Sequence, residues 1–110
     1  MTAAPTPSYA EVLTGLSAYA QDDWLGVDII TGWVRDCLEG MPSFVEVRPL
    51  AIRAVRDLIN AGAEAGDITG EGFEPWPVSR QEMIDRLTRA LGERTTWPEP
   101  DELGWITFPD

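Results

Sequence analysis

The sequence predicts one small α+β domain in which three helices lead into a β-hairpin, a fourth helix and a C-terminal strand. Three observations carry that prediction. A Ser followed three residues later by Glu occurs at Ser8 and Glu11, Ser43 and Glu46, and Ser79 and Glu82. In this spacing the N-cap hydroxyl and the Glu carboxylate each satisfy a free backbone N–H of the other, so each pair marks a helix start. The segments "AEAGDIT", "GFEPW" and "GWITF" are short, rich in β-branched and aromatic residues and bounded by glycine, which reads as strands. A chain of 110 residues that is 44% hydrophobic holds one core and one domain. The domain is expected over residues 8–110, behind a disordered lead over residues 1–7.

The first helix is expected from Tyr9 to Ala20, with Val12, Leu13, Leu16 and Ala20 on one face. A second fits Val27 to Glu39, burying Ile30, Trp33, Val34, Cys37 and Leu38, with Gly40 and Pro42 as its stop. The third carries Val47, Leu50, Ala51, Ala54, Val55, Leu58 and Ile59 and ends near Gly62. Pro49 complicates its start, because a proline inside a helix removes one hydrogen bond and clashes with the preceding turn. Either the helix begins later than Ser43 or it kinks. "ITGEGF" makes the hairpin turn, and Arg80 to Leu91 form the fourth helix, with Met83, Ile84, Leu87 and Leu91 inward. "TTWPEPDELG" is an acidic, proline-rich loop before the last strand. Helix, helix, helix, hairpin is the order of a winged helix.

Charge separates the functional classes. Asp and Glu number 19 against 8 bases, for a net charge of −11, and all the bases are arginine. Residues 1–34, 57–79 and 95–110 contain none. Such a molecule repels phosphate backbones and anionic membranes and attracts basic surfaces. A wing carrying Glu64, Asp67, Glu71 and Glu74 cannot neutralise DNA phosphates, so no nucleic-acid partner is expected. There is no histidine. That excludes Ser-His-Asp and Cys-His catalysis and imidazole metal sites. Paired carboxylates could serve glycoside hydrolysis or Mg²⁺, but short strands in so small a chain leave little room for a cleft. Asp22 and Asp23 read instead as the polar start of the second helix. "GAEAGDITGEG" lacks the lysine and spacing of a phosphate-binding loop. Cys37 is alone, on an apolar stripe, and reads as a buried inert thiol. No catalytic residue, metal or cofactor is expected, and the chain reads as a non-enzyme. "MTAAPTPS" lacks the basic and apolar regions of a secretory signal, and no apolar run approaches membrane-spanning length, so a cytoplasmic, non-membrane protein is expected.

What remains is the stretch "EAGDITGEGFEPWPVS". Its glycines make a turn, Pro75 and Pro77 stiffen the exit, its acids set a negative potential, and Trp76 supplies apolar area of the kind enriched at binding hot spots. The candidate partner-binding residues are Glu64, Asp67, Glu71, Glu74 and Trp76, and the partner they suit is a basic protein. Trp24, Trp76 and Trp97 stand in loop or terminal positions beside acids or prolines. Each either caps the edge of the core or is a partly exposed anchor.

The run "AVRDLINAGAEAGDITGEGFEPWPVSRQEMIDRL", and less closely "LGWITF", resembles a group of uncharacterised small acidic proteins of high-GC actinobacteria. The resemblance covers about the second half of the chain and implies a fold but no activity. Some such proteins resemble immunity proteins of polymorphic toxin systems, which are small, acidic, cytoplasmic and not enzymes. The net charge of −11, the lack of a catalytic constellation and the acids clustered with tryptophan lead to the expectation of a bacterial immunity protein that occludes a basic site on a cognate toxin domain. The alternative is a winged-helix-like accessory or regulatory module that binds another protein rather than DNA.

Overall fold

A computed structural model describes residues 6–109, so most of the lead expected over residues 1–7 lies outside the described residues. The chain forms α1 (Tyr9–Asp22), β1 (Leu25–Gly26), α2 (Val27–Arg35), α3 (Phe44–Asn60), β2 (Glu64–Thr69), β3 (Gly72–Pro75), α4 (Arg80–Gly92) and β4 (Trp105–Thr107). This is the expected α+β order with one addition, the two-residue β1 between the first two helices. The four strands make one antiparallel sheet in the order β1-β4-β2-β3. Among the described residues, no helix is long and apolar enough to cross a membrane.

All three expected caps form. Ser8, Ser43 and Ser79 accept from the backbone N–H of Glu11, Glu46 and Glu82 at 3.1, 3.4 and 3.1 Å. The return bond that completes the reciprocal box is present in α1, from the Ser8 N–H to Glu11 Oε1 at 3.5 Å. Helix α3 starts at Ser43 and runs unbroken through Pro49, so the later start is corrected. Pro49 and Val45, whose carbonyl the proline leaves unpaired, both lie on the exposed side of the helix, where water can take that carbonyl.

Helix α2 is shorter than the periodicity implied. After Arg35 its bonds tighten to the i−3 type, with the N–H groups of Asp36, Cys37 and Leu38 donating to Trp33, Val34 and Arg35 at 3.0–3.1 Å. The chain then turns away through Gly40 at φ 80°. Its buried face is Val27, Ile30, Thr31 and Val34. Trp33 lies beside that face, not on it, and is 37% exposed, which corrects its expected place in the core. Its ring rests edge-on against Tyr19 at 5.9 Å, over Gly15 of α1. Cys37 falls past the end of the helix and is half-buried, and burial, then Asp36, pushes its thiol pKa up.

The core lies between the helices and one face of the sheet. Leu16, Leu25, Ile30, Phe44, Val47, Leu58, Ile59, Leu87, Leu91 and Ile106 are almost wholly buried in it. Cross-strand partners share a face, so the register divides the sheet. Leu25, Ile106 and Ala65 pair across β1, β4 and β2 and point inward. The loop before β4 is pinned by Arg94, whose guanidinium grips Glu102 at 2.8 and 3.0 Å and the Thr96 carbonyl at 2.9 Å. That pairing holds the Glu102 carboxyl below the usual carboxylate range.

Candidate protein-binding face

The hairpin forms as the sequence indicated. Asp67 pairs with Glu74, Ile68 with Phe73 and Thr69 with Gly72, and Gly72 closes the turn at φ 108°, a conformation that favours glycine. Asp67 and Glu74 are like charges on directly opposed residues, an arrangement that costs stability. Two local bonds offset part of that cost. The Trp76 indole N–H donates to Asp67 Oδ2 at 3.0 Å, and the Thr69 hydroxyl donates to Glu74 Oε1 at 3.2 Å. Glu71 stands at the exposed tip, and its amide donates to the Thr69 hydroxyl. Glu64 is half-buried at the other end of β2, opposite Thr107 of β4. The candidate acids therefore do not converge: Asp67 and Glu74 share one face, Glu64 lies on the other and Glu71 at the tip.

Trp76 is the correction. At 6% exposure it belongs to the core and has no free apolar area to offer as an anchor. Its amide donates to the Ala65 carbonyl at 2.9 Å, which carries the strand alternation on and turns its ring to the inner face. There Gly104 makes room for the ring, and the Arg86 guanidinium covers it at 3.8 Å from the ring centroid. Partial exposure is found instead at Trp24 (40%) and Trp97 (38%). Trp97 meets Phe44 edge-on at 5.5 Å, so one side of it belongs to the core.

The outer face of the sheet holds the larger surprise. An antiparallel sheet with one wet face usually shows polar side chains there. This one shows Phe73 beside Ile68 on the hairpin, and Trp105 over Gly26, its Cζ3 atom 3.3 Å from where a Cβ on Gly26 would stand. The residue before β1, Trp24, continues the same face by alternation. Its Cζ2 atom lies 3.9 Å from where a Cβ on Gly72 would stand, so the hairpin tip curls toward it. All four of these large side chains are partly open to solvent. Trp24, Phe73, Thr107, Phe108 and Pro109 line an open cleft of about 330 Å³ with Gln21, Asp22 and Asp23.

The end of α1 builds the acidic rim of that cleft. Asp22 is the last residue of the helix and Asp23 its C-cap, which corrects their expected role as the start of α2. The last carbonyls of α1 are taken by the sheet: Ala20 accepts from the Phe108 N–H and the Thr107 hydroxyl, both at 3.0 Å. Asp23 Oδ1 accepts from the Trp24 amide at 2.7 Å. Asp101, at φ 68°, takes the Trp105 indole N–H on Oδ1. The segments that meet here are the end of α1, β1, the hairpin and β4. They are the arginine-free stretches of the sequence, while all eight arginines lie on or just after α2, α3 and α4.

Sequence reading missed this convergence because it depends on β4 inserting between β1 and β2, a pairing that no local pattern records. The available signal was "DDW": two acids and a tryptophan in the longest arginine-free stretch. The chain matches no protein-family model, no curated protein and no solved structure.

Proposed function

We propose that this protein is an acidic protein-binding module that docks a basic protein on the outer face of its sheet, with the hairpin acids steering the approach. The observation that carries this is the aromatic outer face, half-open to solvent and bordered by Asp22, Asp23, Glu64 and Glu71 without an arginine in the segments that build it. Exposed aromatic area supplies binding energy, and acids alone around it select a basic partner and speed its arrival. An immunity protein that covers the basic site of a cytoplasmic toxin domain fits this chemistry, because sites that act on anionic substrates are themselves basic. The same charge argues against nucleic acid as a partner.

The test is partner capture followed by kinetics. Reversing Asp22, Glu64 and Glu71 to Lys lowers the association rate about tenfold at low salt and much less at high salt, because steering depends on summed charge. An association rate unchanged by both charge reversal and salt sinks the reading. The alternative, a regulatory module of winged-helix-like order, is favoured by the order of the elements. It would use the exposed side of α3, so Arg53→Ala and Arg56→Ala would then weaken binding while Trp24→Ala would not.

A further inference from the structure

The chain uses one recurring device to seat its own arginines. The Arg53 guanidinium lies 4.0 Å from the centroid of the Tyr9 ring, and the Tyr9 hydroxyl donates to Asp57 at 2.7 Å. Arg86 lies 3.8 Å from the centroid of Trp76, whose indole N–H donates to Asp67. In both, a flat cation stacks on an aromatic ring that an aspartate holds in place. Cation and ring quadrupole attract, and the guanidinium plane stacks well on an indole.

Trp24 presents an uncovered ring beside two aspartates, with the aspartate contact here on its backbone and not on its ring. Its ring is 40% exposed, and Asp23 fixes its backbone by accepting from its amide. No arginine of the described residues lies over it. Asp22 and Asp23 border the cleft, α1 points its carbonyl end at it, and its last turn carries no basic residue. Asp23 Oδ2 and both carboxylate oxygens of Asp22 accept from no donor among the described residues. Phe73 and Phe108 close the apolar sides.

We infer that the cleft at Trp24 is the receptacle for an arginine side chain of the basic partner, its guanidinium stacked on the Trp24 indole and its charge shared by Asp22 and Asp23. The inference rests on the reading of this face as the docking surface. Two carboxylates beside an indole suit a flat organic cation better than a metal ion, which takes more oxygen ligands and no aromatic face. Arginine is preferred to lysine because it stacks and forks.

The probe is N-acetyl-glycyl-arginyl-glycine amide, titrated into the isotope-labelled protein and followed by amide and indole N–H resonances. The Trp24 indole and the amides of Asp23, Phe73 and Thr107 shift together and saturate. The citrulline counterpart shifts them little and the lysine counterpart binds more weakly. Trp24→Ala and Asp22→Asn each weaken the arginine peptide by about threefold to tenfold, while Asp85→Asn, on the exposed side of α4, leaves it unchanged. Equal affinity in Trp24→Ala, or shifts spread evenly over the exposed acids, overturns the receptacle. Cytochrome c, a basic globular protein, separates this from the reading beneath it. If it broadens the outer-face resonances while the peptide ignores Trp24, the receptacle falls and the docking face stands. If neither probe selects the face, both fall.

Discussion

Asp22→Asn is expected to make the protein more stable and a poorer binder at once. A helix ends in unpaired carbonyls and partial negative charge, and a carboxylate there typically costs about 0.3–1 kcal/mol. Helices α2 and α4 carry Arg35 and Arg89 in their last turns, whereas α1 ends in Asp22 and Asp23 with no base. Asparagine keeps the shape of Asp22 and removes the charge, and it also removes repulsion from Asp23. The gain is about 0.5–1 kcal/mol, which raises the melting temperature by about 2–6 °C for a domain of this size. The origin is electrostatic and solvent-exposed, so 0.5 M salt should remove at least half of it. Asp23→Ala should gain less, because it also exposes the Trp24 amide that Asp23 Oδ1 holds at 2.7 Å. Calorimetry at low and high salt decides the matter. An Asp22→Asn melting temperature at or below the parent's at low salt refutes the account of α1's end, and with it the claim that these acids are kept at a cost to stability.

Gly66→Ala should destabilise by about 3 kcal/mol or more, because its Cβ would collide with the Glu74 carbonyl oxygen and lie 2.8 Å from Pro75 Cα. A urea midpoint within error of the parent would show that the hairpin register is different. Met83→Leu should cost about 1–3 kcal/mol, more than its volume change implies, because the buried Ala65 N–H donates to the Met83 sulfur at 3.5 Å. Faster hydrogen exchange at the Ala65 amide is the specific readout. Burial and the bond to Asp57 push the Tyr9 pKa above its ordinary 10.0. The folded state therefore resists ionisation that the unfolded chain undergoes, and Tyr9 contributes stability below pH 10 that fades as pH rises beyond it. Tyr9→Phe should flatten that alkaline decline in a series of urea melts.

Where the fold was legible, a local rule was strong enough to act alone. Ser8, Ser43 and Ser79 announce helix starts because capping is decided within four residues. Gly72 announces the hairpin because few residues tolerate its φ. The failures are positions whose fate is set by distant chain. Leu25 and Gly26 show no strand pattern, and they pair because β4 arrives some 80 residues later. Trp33 looks like core by period, but Val27, Ile30, Thr31 and Val34 already fill the buried face of a short helix. Trp76 between two prolines looked like an exposed loop residue, yet the alternation that buries Ala65 on β2 also carries Trp76 inward. For the candidate site, the chemistry of an acidic surface with tryptophan was legible. Its location was not, because sheet order and strand phase, which decide which tryptophan the acids surround, are tertiary facts.

The allocation of the arginines leads to one more expectation, about salt. Arg53 and Arg86 cover aromatic rings, Arg94 grips Glu102, and Arg48 donates to the Arg94 carbonyl at 2.8 Å. With Arg35 over the Trp97 ring at 5.9 Å, five of the eight bases are thus engaged on the helical side, and none lies in the segments that form the sheet. The free protein therefore carries repulsion among Asp22, Asp23, Glu64 and Glu71 that no arginine of these segments relieves, and added salt screens it. Raising NaCl from 20 to 200 mM should raise the melting temperature of the free protein by about 2–5 °C, since roughly 0.5–1 kcal/mol of repulsion is screened. The complex with a basic partner should respond in the opposite sense. The partner's charges already relieve the repulsion, and salt then weakens the attraction that holds the two together. The same titration on the free and bound protein reads both signs. If salt destabilises the free protein, the net attraction within each Arg–acid set outweighs the repulsion across the sheet, and the acidic face is not poised for a cation.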